Sequence, residues 1–246
     1  MESTETFIYK LHKRFDKCVS DYALINEGDK ILIGLSGGKD SLALVEFLGR
    51  KQRIFKPRFT AVAVHITMEN IPYASDLDYL KNYCESWGIE FYHKTTCFNP
   101  DTDKRKNPCF LCSWNRRKVL FETAKELNCN KIALGHHQDD VLATLLMNMN
   151  FQGTISTMPP LLKMNKFEME IIRPMSLIRE ADLIKLAEIR AFKKQNKNCP
   201  YEHDSYRSDI AEILRKLEEI NPHSKDSLWG SMTNIQTEYL PSKKEN

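Results

Sequence analysis

An apolar run, Ile31-Leu32-Ile33-Gly34-Leu35, passes without a break into Ser36-Gly37-Gly38-Lys39-Asp40-Ser41, after which Leu42, Leu44, Val45 and Leu48 continue in a helical pattern over residues 40–52. Such a run reads as a strand buried on both faces. A strand that turns through two adjacent glycines straight into a helix gathers backbone N–H groups and the positive helix end at one point, which favours phosphate. That places the ligand at the carboxyl end of a strand in an α/β sheet. An ordinary tight turn accounts poorly for two glycines, a lysine and two hydroxyls in six residues. The run is neither a Walker-type P-loop, because Asp40 follows Lys39, nor the G-x-G-x-x-G dinucleotide fingerprint.

The pattern repeats downstream. Residues 59–66 form a second buried strand, and Ser75 is expected to cap a helix that runs to Trp87 and stops at Gly88. A strand over residues 89–93, a helix over 113–127, a strand over 131–135 and a helix over 139–149 follow. Alternating strands and helices with apolar strands predict a doubly wound, mainly parallel α/β sheet. Residues 161–172, with Asn165-Lys166 in the middle, read as a hairpin at the sheet edge. The expected segments are a basic amphipathic helix over 1–27 packing on the core, the sheet domain over 28–175, a helical flank over 176–240 with helices at 181–192, 208–220 and 228–235, and a disordered tail over 241–246.

Size and composition exclude several classes. A chain of 246 residues, 41% hydrophobic, buries a core and is not disordered. No apolar run approaches the roughly 20 residues of a membrane span, and no export signal is read near Glu2, so the expectation is a cytoplasmic protein without a membrane partner. In that compartment seven cysteines are expected as reduced thiols, core fillers or metal ligands. With 36 basic and 33 acidic side chains, total charge does not announce nucleic acid.

Two further motifs carry chemistry. Leu134-Gly135-His136-His137-Gln138-Asp139-Asp140 puts histidines and carboxylates just beyond a strand end, although Asp139 and Asp140 also suit an ordinary first helical turn. Cys109-Phe110-Leu111-Cys112 brings two thiols within reach of one metal, and Cys199 supplies a third candidate. For the pair alone, zinc, a redox dithiol and coincidence stay open. Cys18, Cys84, Cys97 and Cys129 are expected as buried small hydrophobes.

The S-G-G-x-D-S loop resembles that of the PP-loop, or N-type ATP pyrophosphatase, family, with its adenine nucleotide alpha hydrolase-like fold. The resemblance implies ATP bound by Ser36, Gly37, Gly38, Lys39, Asp40 and Ser41, with Gly135, His136 and Asp140 completing the nucleotide site and Asp40 holding Mg2+. The CxxC after the third strand, the downstream Cys199-Pro200-Tyr201 with Ser205 and Arg207, Ile172-Arg173-Pro174 and Leu217-Glu218-Glu219 before Pro222 narrow it. Together they resemble the tRNA 2-thiocytidine synthetase family over residues 5–240. The related 2-thiouridine enzymes add paired-cysteine fingers at both ends, which have no counterpart here.

What this implies is an ATP-dependent tRNA sulfurtransferase. It would adenylate the C2 carbonyl oxygen of an anticodon-loop cytidine at position 32, and sulfur would come from a [4Fe-4S] cluster on Cys109, Cys112 and Cys199. The implied catalytic residues are these cysteines with Asp40 and Asp140. The implied partners are tRNA and a cysteine desulfurase or other sulfur donor, and a homodimer is compatible. Candidate tRNA contacts are Lys104, Arg105, Lys106, Arg116, Arg117 and Lys118, with Lys13-Arg14, Lys193-Lys194 and Lys197 beside them. The rival readings are 2-thiouridine synthesis, a lysidine-type ligase, which would leave the cysteines unexplained, and a non-catalytic nucleotide- and zinc-binding tRNA module.

Overall fold

The computed structural model describes residues 3–54, 56–71, 73–99, 108–164, 169–197 and 206–241. In chain order the elements are α1 (Thr4–Asp21), β1 (Lys30–Gly34), α2 (Lys39–Gln52), β2 (Thr60–Met68), β3 (Tyr73–Ala74), α3 (Leu77–Ser86), β4 (Glu90–Thr96), α4 (Pro108–Glu126), β5 (Lys131–Ala133) and α5 (Gln138–Gln152). There follow β6 (Leu161–Lys163), β7 (Glu170–Ile172), α6 (Glu180–Ile189), β8 (Asn196–Lys197), α7 (Tyr206–Ile220), α8 (Ser224–Ser231) and a 3-10 turn, Thr237–Tyr239. Internal packing divides them into two compact units, Met1–Gln138 with Pro159–His203, and Asp139–Met158 with Asp204–Asn246.

The first unit is built on a six-stranded sheet of order β4-β2-β1-β5-β7-β6, parallel except for β6. Alternation along the strands feeds two layers. Ile31, Ile33, Ala61 and Ala63 pack with Phe15, Leu42 and Leu186 from α1, α2 and α6, whereas Leu32, Val62 and Ile132 pack with Leu120 and Ala124 from α4. Connections leave β1 toward β2 on one side and reach β5 on the other. The sheet therefore has its topological switch point between β1 and β5, the position where open α/β sheets bind ligands. At the opposite end, buried Lys131 meets Asp29 at 2.9 Å, Glu170 at 3.2 Å and the Leu24 carbonyl at 2.9 Å, which ties three segments together.

The second unit is helical. Leu142 and Ala143 of α5 pack against Ile210 and Leu214 of α7, with Leu228 and Trp229 of α8 beside them.

The doubly wound, mainly parallel sheet and its edge hairpin match the sequence expectation, with differences at element ends. The cap of α3 is Asp76, whose carboxylate accepts from the Tyr79 N–H at 2.9 Å. Ser75 instead bonds His65 Nε2 at 2.7 Å. Helix α4 begins at Pro108 rather than 113, as suits a proline in the first helical turn. The last helix ends at Ser231 rather than 235, and β5 at Ala133 rather than 135. The two-residue ladder of β3 with β8 was not expected. The Asn165-Lys166 turn and the tail beyond Pro241 lie outside the described residues.

Candidate functional site

Strand β1 pairs with β2 through Gly34↔Val64, and the Leu35 N–H bonds the Val64 carbonyl at 2.9 Å, so the chain leaves the sheet at a fixed point. Gly37 then adopts φ +81°, the left-handed region that glycine reaches without strain. Gly38 is the N-cap of α2 and offers no side chain, so no side-chain cap closes this helix start. Inside the loop, Ser36 Oγ donates to Ser41 Oγ at 3.2 Å, Ser41 Oγ lies 2.9 Å from the Gly38 carbonyl, and the Gly38 N–H donates to Ser36 Oγ at 3.3 Å. These bonds fix two hydroxyls beside an uncapped helix start, an arrangement suited to phosphate oxygens.

The loop after β5 lies against this one. A Cβ added at Gly135 would come within 3.2 Å of the Asp40 carbonyl and of the Ser41 nitrogen, so the absence of a side chain there permits the contact. His136 follows, half-buried, and buried Gln138 donates its N–H to the Ile178 carbonyl at 2.9 Å. A cleft of about 580 Å³ opens beside the loop between Gly37, Gly38 and Lys39 and the Ile184, Glu188 and Phe192 side, within the size range of small-ligand pockets.

Lys39 lies 3.2 Å from Asp40 and 3.0 Å from Glu180 in the first turn of α6. Burial works against its charge, but the two carboxylates outweigh it and hold the ammonium above the ordinary lysine value. Asp40 Oδ1 is buried from solvent and lies 3.2 Å from the Lys39 ammonium. A buried carboxylate oxygen of that kind suits a hard cation such as Mg2+.

Cys109 and Cys112 sit at i and i+3 in the opening turns of α4, with Cys109 exposed and Cys112 packed on Met68, Ile71 and Phe98. Two thiols three residues apart on a helix suit shared ligation. Cys199 lies outside the described residues, as do Lys104, Arg105, Lys106, Tyr201 and Ser205. Cys18, Cys84 and Cys129 are buried thiols as expected, the first two pushed up to about 12 by burial. Cys97 departs from that expectation. It is exposed, because it follows the end of the sheet's edge strand β4.

Asp140 belongs to the second unit, where it pairs with Arg207 at 3.5 Å. Its neighbour Asp139 meets Lys225 at 2.6 Å, and Lys225 also meets Glu218 at 2.7 Å, so of the sequence motifs Arg207 pairs with Asp140 directly and Glu218 is joined to Asp139 through Lys225. The basic run after the CxxC does not face one way. Arg117 and Lys118 are exposed, whereas Arg116 is half-buried with its Nε sealed from solvent and its charge felt at His65. Arg14 is engaged by Asp182, and Lys193 by Asp76.

Three residues at the loop escaped the sequence reading. His65, within β2, lies with Nδ1 2.8 Å from the Leu35 carbonyl, which can only accept, so Nδ1 carries the proton and Ser75 donates to Nε2. Burial lowers its pKa and keeps it neutral. A histidine ending an apolar run was the available signal. Glu180 and Gln195 had none. Gln195 accepts the Asp76 N–H at 2.8 Å, and its Cγ would lie 2.9 Å from a Cβ placed on Gly37.

Comparison with known proteins agrees with this geometry. Residues 4–211 match the PP-loop domain family. The chain is 37% identical over 244 residues to the tRNA-cytidine(32) 2-sulfurtransferase of Neisseria meningitidis serogroup A / serotype 4A (strain DSM 15465 / Z2491), covering 94% of this chain and 75% of that protein. Against the protein of the same name from Sodalis glossinidius (strain morsitans) the identity is 35%, covering 98% and 70%. Among solved structures, the U34-tRNA thiolase NcsA from Methanococcus maripaludis, with its [4Fe-4S] cluster, superposes with a TM-score of 0.77 at 29% identity, covering 97% of this chain and 81% of that one. Sequence, sheet order and loop geometry thus agree, and the chain belongs to the PP-loop family, alongside the tRNA-cytidine 2-sulfurtransferases.

Proposed function

We propose that this protein is an ATP-dependent tRNA thiolase. It adenylates the C2 carbonyl oxygen of an anticodon-loop cytidine, at position 32, and replaces that oxygen with sulfur to give 2-thiocytidine, AMP and pyrophosphate. The observation that carries this reading is the 37% identity across 94% of the chain to a tRNA-cytidine(32) 2-sulfurtransferase. The uncapped start of α2 and the fixed hydroxyls of Ser36 and Ser41 support its ATP half.

In this reading the first-turn N–H groups of α2 and the two hydroxyls bind the phosphates, and Lys39 offsets their charge. Asp40 would hold Mg2+. The base oxygen attacks the α-phosphorus and the bond to pyrophosphate breaks, while His136 and Asp140 act on the α-phosphate side. Cys109, Cys112 and Cys199 would hold a [4Fe-4S] cluster, which when bound supplies the sulfur that replaces the oxygen. Sulfide renews that sulfur directly, and persulfide sulfur from a cysteine desulfurase does so with two electrons from a thiol reductant.

The second reading is 2-thiolation of a uridine, favoured by the superposition on a U34-tRNA thiolase. Protein purified without oxygen and incubated with ATP, sulfide and unmodified tRNA tests both. Nucleoside mass spectrometry is expected to find 2-thiocytidine; 2-thiouridine would select the second reading, and absence of tRNA-dependent pyrophosphate release would reject both. Colourless wild-type protein carrying stoichiometric zinc would reject the cluster, whereas retained iron lost in Cys199→Ala supports it.

A further inference from the structure

Helix α4 carries a second feature beside its cysteines. Phe110, Trp114 and Arg117 follow at i, i+4 and i+7 and form one stripe along the helix. Phe110 is 49% and Trp114 51% exposed, although rings of this size usually bury most of their surface. Neither phosphate binding nor cysteine ligation uses them. Cys109 directly precedes the stripe, whereas Cys112 turns to the other side of the helix and packs on Met68, Ile71 and Phe98. The stripe's charge is cationic: Arg117 and Lys118 are exposed, Lys118 is 3.9 Å from Glu122, and among the described residues no carboxylate pairs with Arg117.

Flat apolar rings beside a guanidinium match the chemistry of unpaired nucleotides, whose bases stack while their phosphates need a cation. We propose that Phe110 and Trp114 are a stacking platform for unpaired bases of the tRNA loop, with Arg117 holding an adjacent phosphate. The proposal rests on the tRNA reading above and sharpens it, because the surface selects unstacked over paired RNA. Stacking tolerates any base, so the platform supplies affinity and orientation on the helix that carries the cysteines, and base identity is read elsewhere.

The test uses the full chain, purified without oxygen, titrated with a short anticodon stem–loop RNA and with a fully paired hairpin of equal length over a range of salt. Phe110→Ala and Trp114→Ala are each expected to weaken stem–loop binding about tenfold and to leave the paired hairpin within about twofold. Trp114→Phe should keep most of the affinity, while Trp114→Leu, apolar but without a π face, should lose it. Arg117→Ala should lower the salt slope by about one. Circular dichroism and iron content identify variants that remain folded and loaded. Unchanged stem–loop affinity in Phe110→Ala/Trp114→Ala, or equal losses on paired RNA, would overturn the platform. Wild-type pyrophosphate release with tRNA separates the two ideas: release with ring-independent binding rejects the platform alone, and ring-dependent binding without release rejects thiolation alone.

Discussion

The Lys39 ammonium lies 3.0 Å from Glu180 and 3.2 Å from Asp40, so the one lysine of the glycine loop is already held between two carboxylates before any phosphate arrives. The arrangement aims a flexible side chain at the loop and keeps it charged.

Lys39→Ala should therefore weaken binding of a non-hydrolysable ATP analogue by about tenfold or more, the scale of one charge-assisted hydrogen bond. Glu180→Gln should shift it less, because Asp40 still orients the ammonium. Calorimetric titration measures both, and equal effects would contradict the ranking.

Gly37→Ala places a Cβ at φ +81° and 2.9 Å from Gln195 Cγ, a side chain held by its bond to the Asp76 N–H. Loss of about 1–3 kcal/mol in urea unfolding is expected, with ATP affinity falling as the loop shifts.

Lys131→Met removes the cation from a site where Asp29 is also buried and leaves that carboxylate without its charge partner. Breaking such a pair is expected to destabilise by about 3–5 kcal/mol, although methionine fits the volume. Asp29→Asn/Lys131→Met should recover part of the loss.

His12 is buried against the edge of Phe47, and its pKa is lowered to about 4, chiefly by burial and then by Arg50, with Asp16 opposing. The unfolded chain binds this proton below about pH 6.5 while the native protein does not until about pH 4. Stability should fall through that window as pH drops, by up to about 1.4 kcal/mol per pH unit from this group. His12→Leu should flatten that limb of the urea-midpoint profile.

Brief alkylation of iron-free native protein should label Cys97 and Cys109, which are exposed, and spare Cys18 and Cys84, which burial holds protonated. Peptide mass spectrometry identifies the sites; labelling of Cys18 before unfolding would contradict the burial.

What the sequence made legible was local. The glycine loop, the strand before it and the helix after it are contiguous, so periodicity and turn chemistry specify them together. Glu180 and Gln195 reach the loop from 141 and 158 residues beyond Lys39 and Gly37, a distance at which one sequence carries no pairing signal. Ser75 and Asp76 are both good capping residues, and only the hydrogen bond of Ser75 to His65 decides between them. Read in chain order, α5 continues the strand–helix alternation. Its apolar side instead meets Ile210 and Leu214, some seventy residues later, and it groups with the second unit.

The position of β5 beside β1 also bears on how the protein acquires its site during folding. Pairing Ile31 with Lys131 closes a loop of a hundred residues, whereas α2 and the turn before it can form from neighbours. Such high contact order delays the closure, so the approach of Gly135 to Asp40 belongs to a late step. Nucleotide added during refolding would then report when the sheet's two halves meet, and a variant slowed in that step would emerge with native helices well before it could hold ATP.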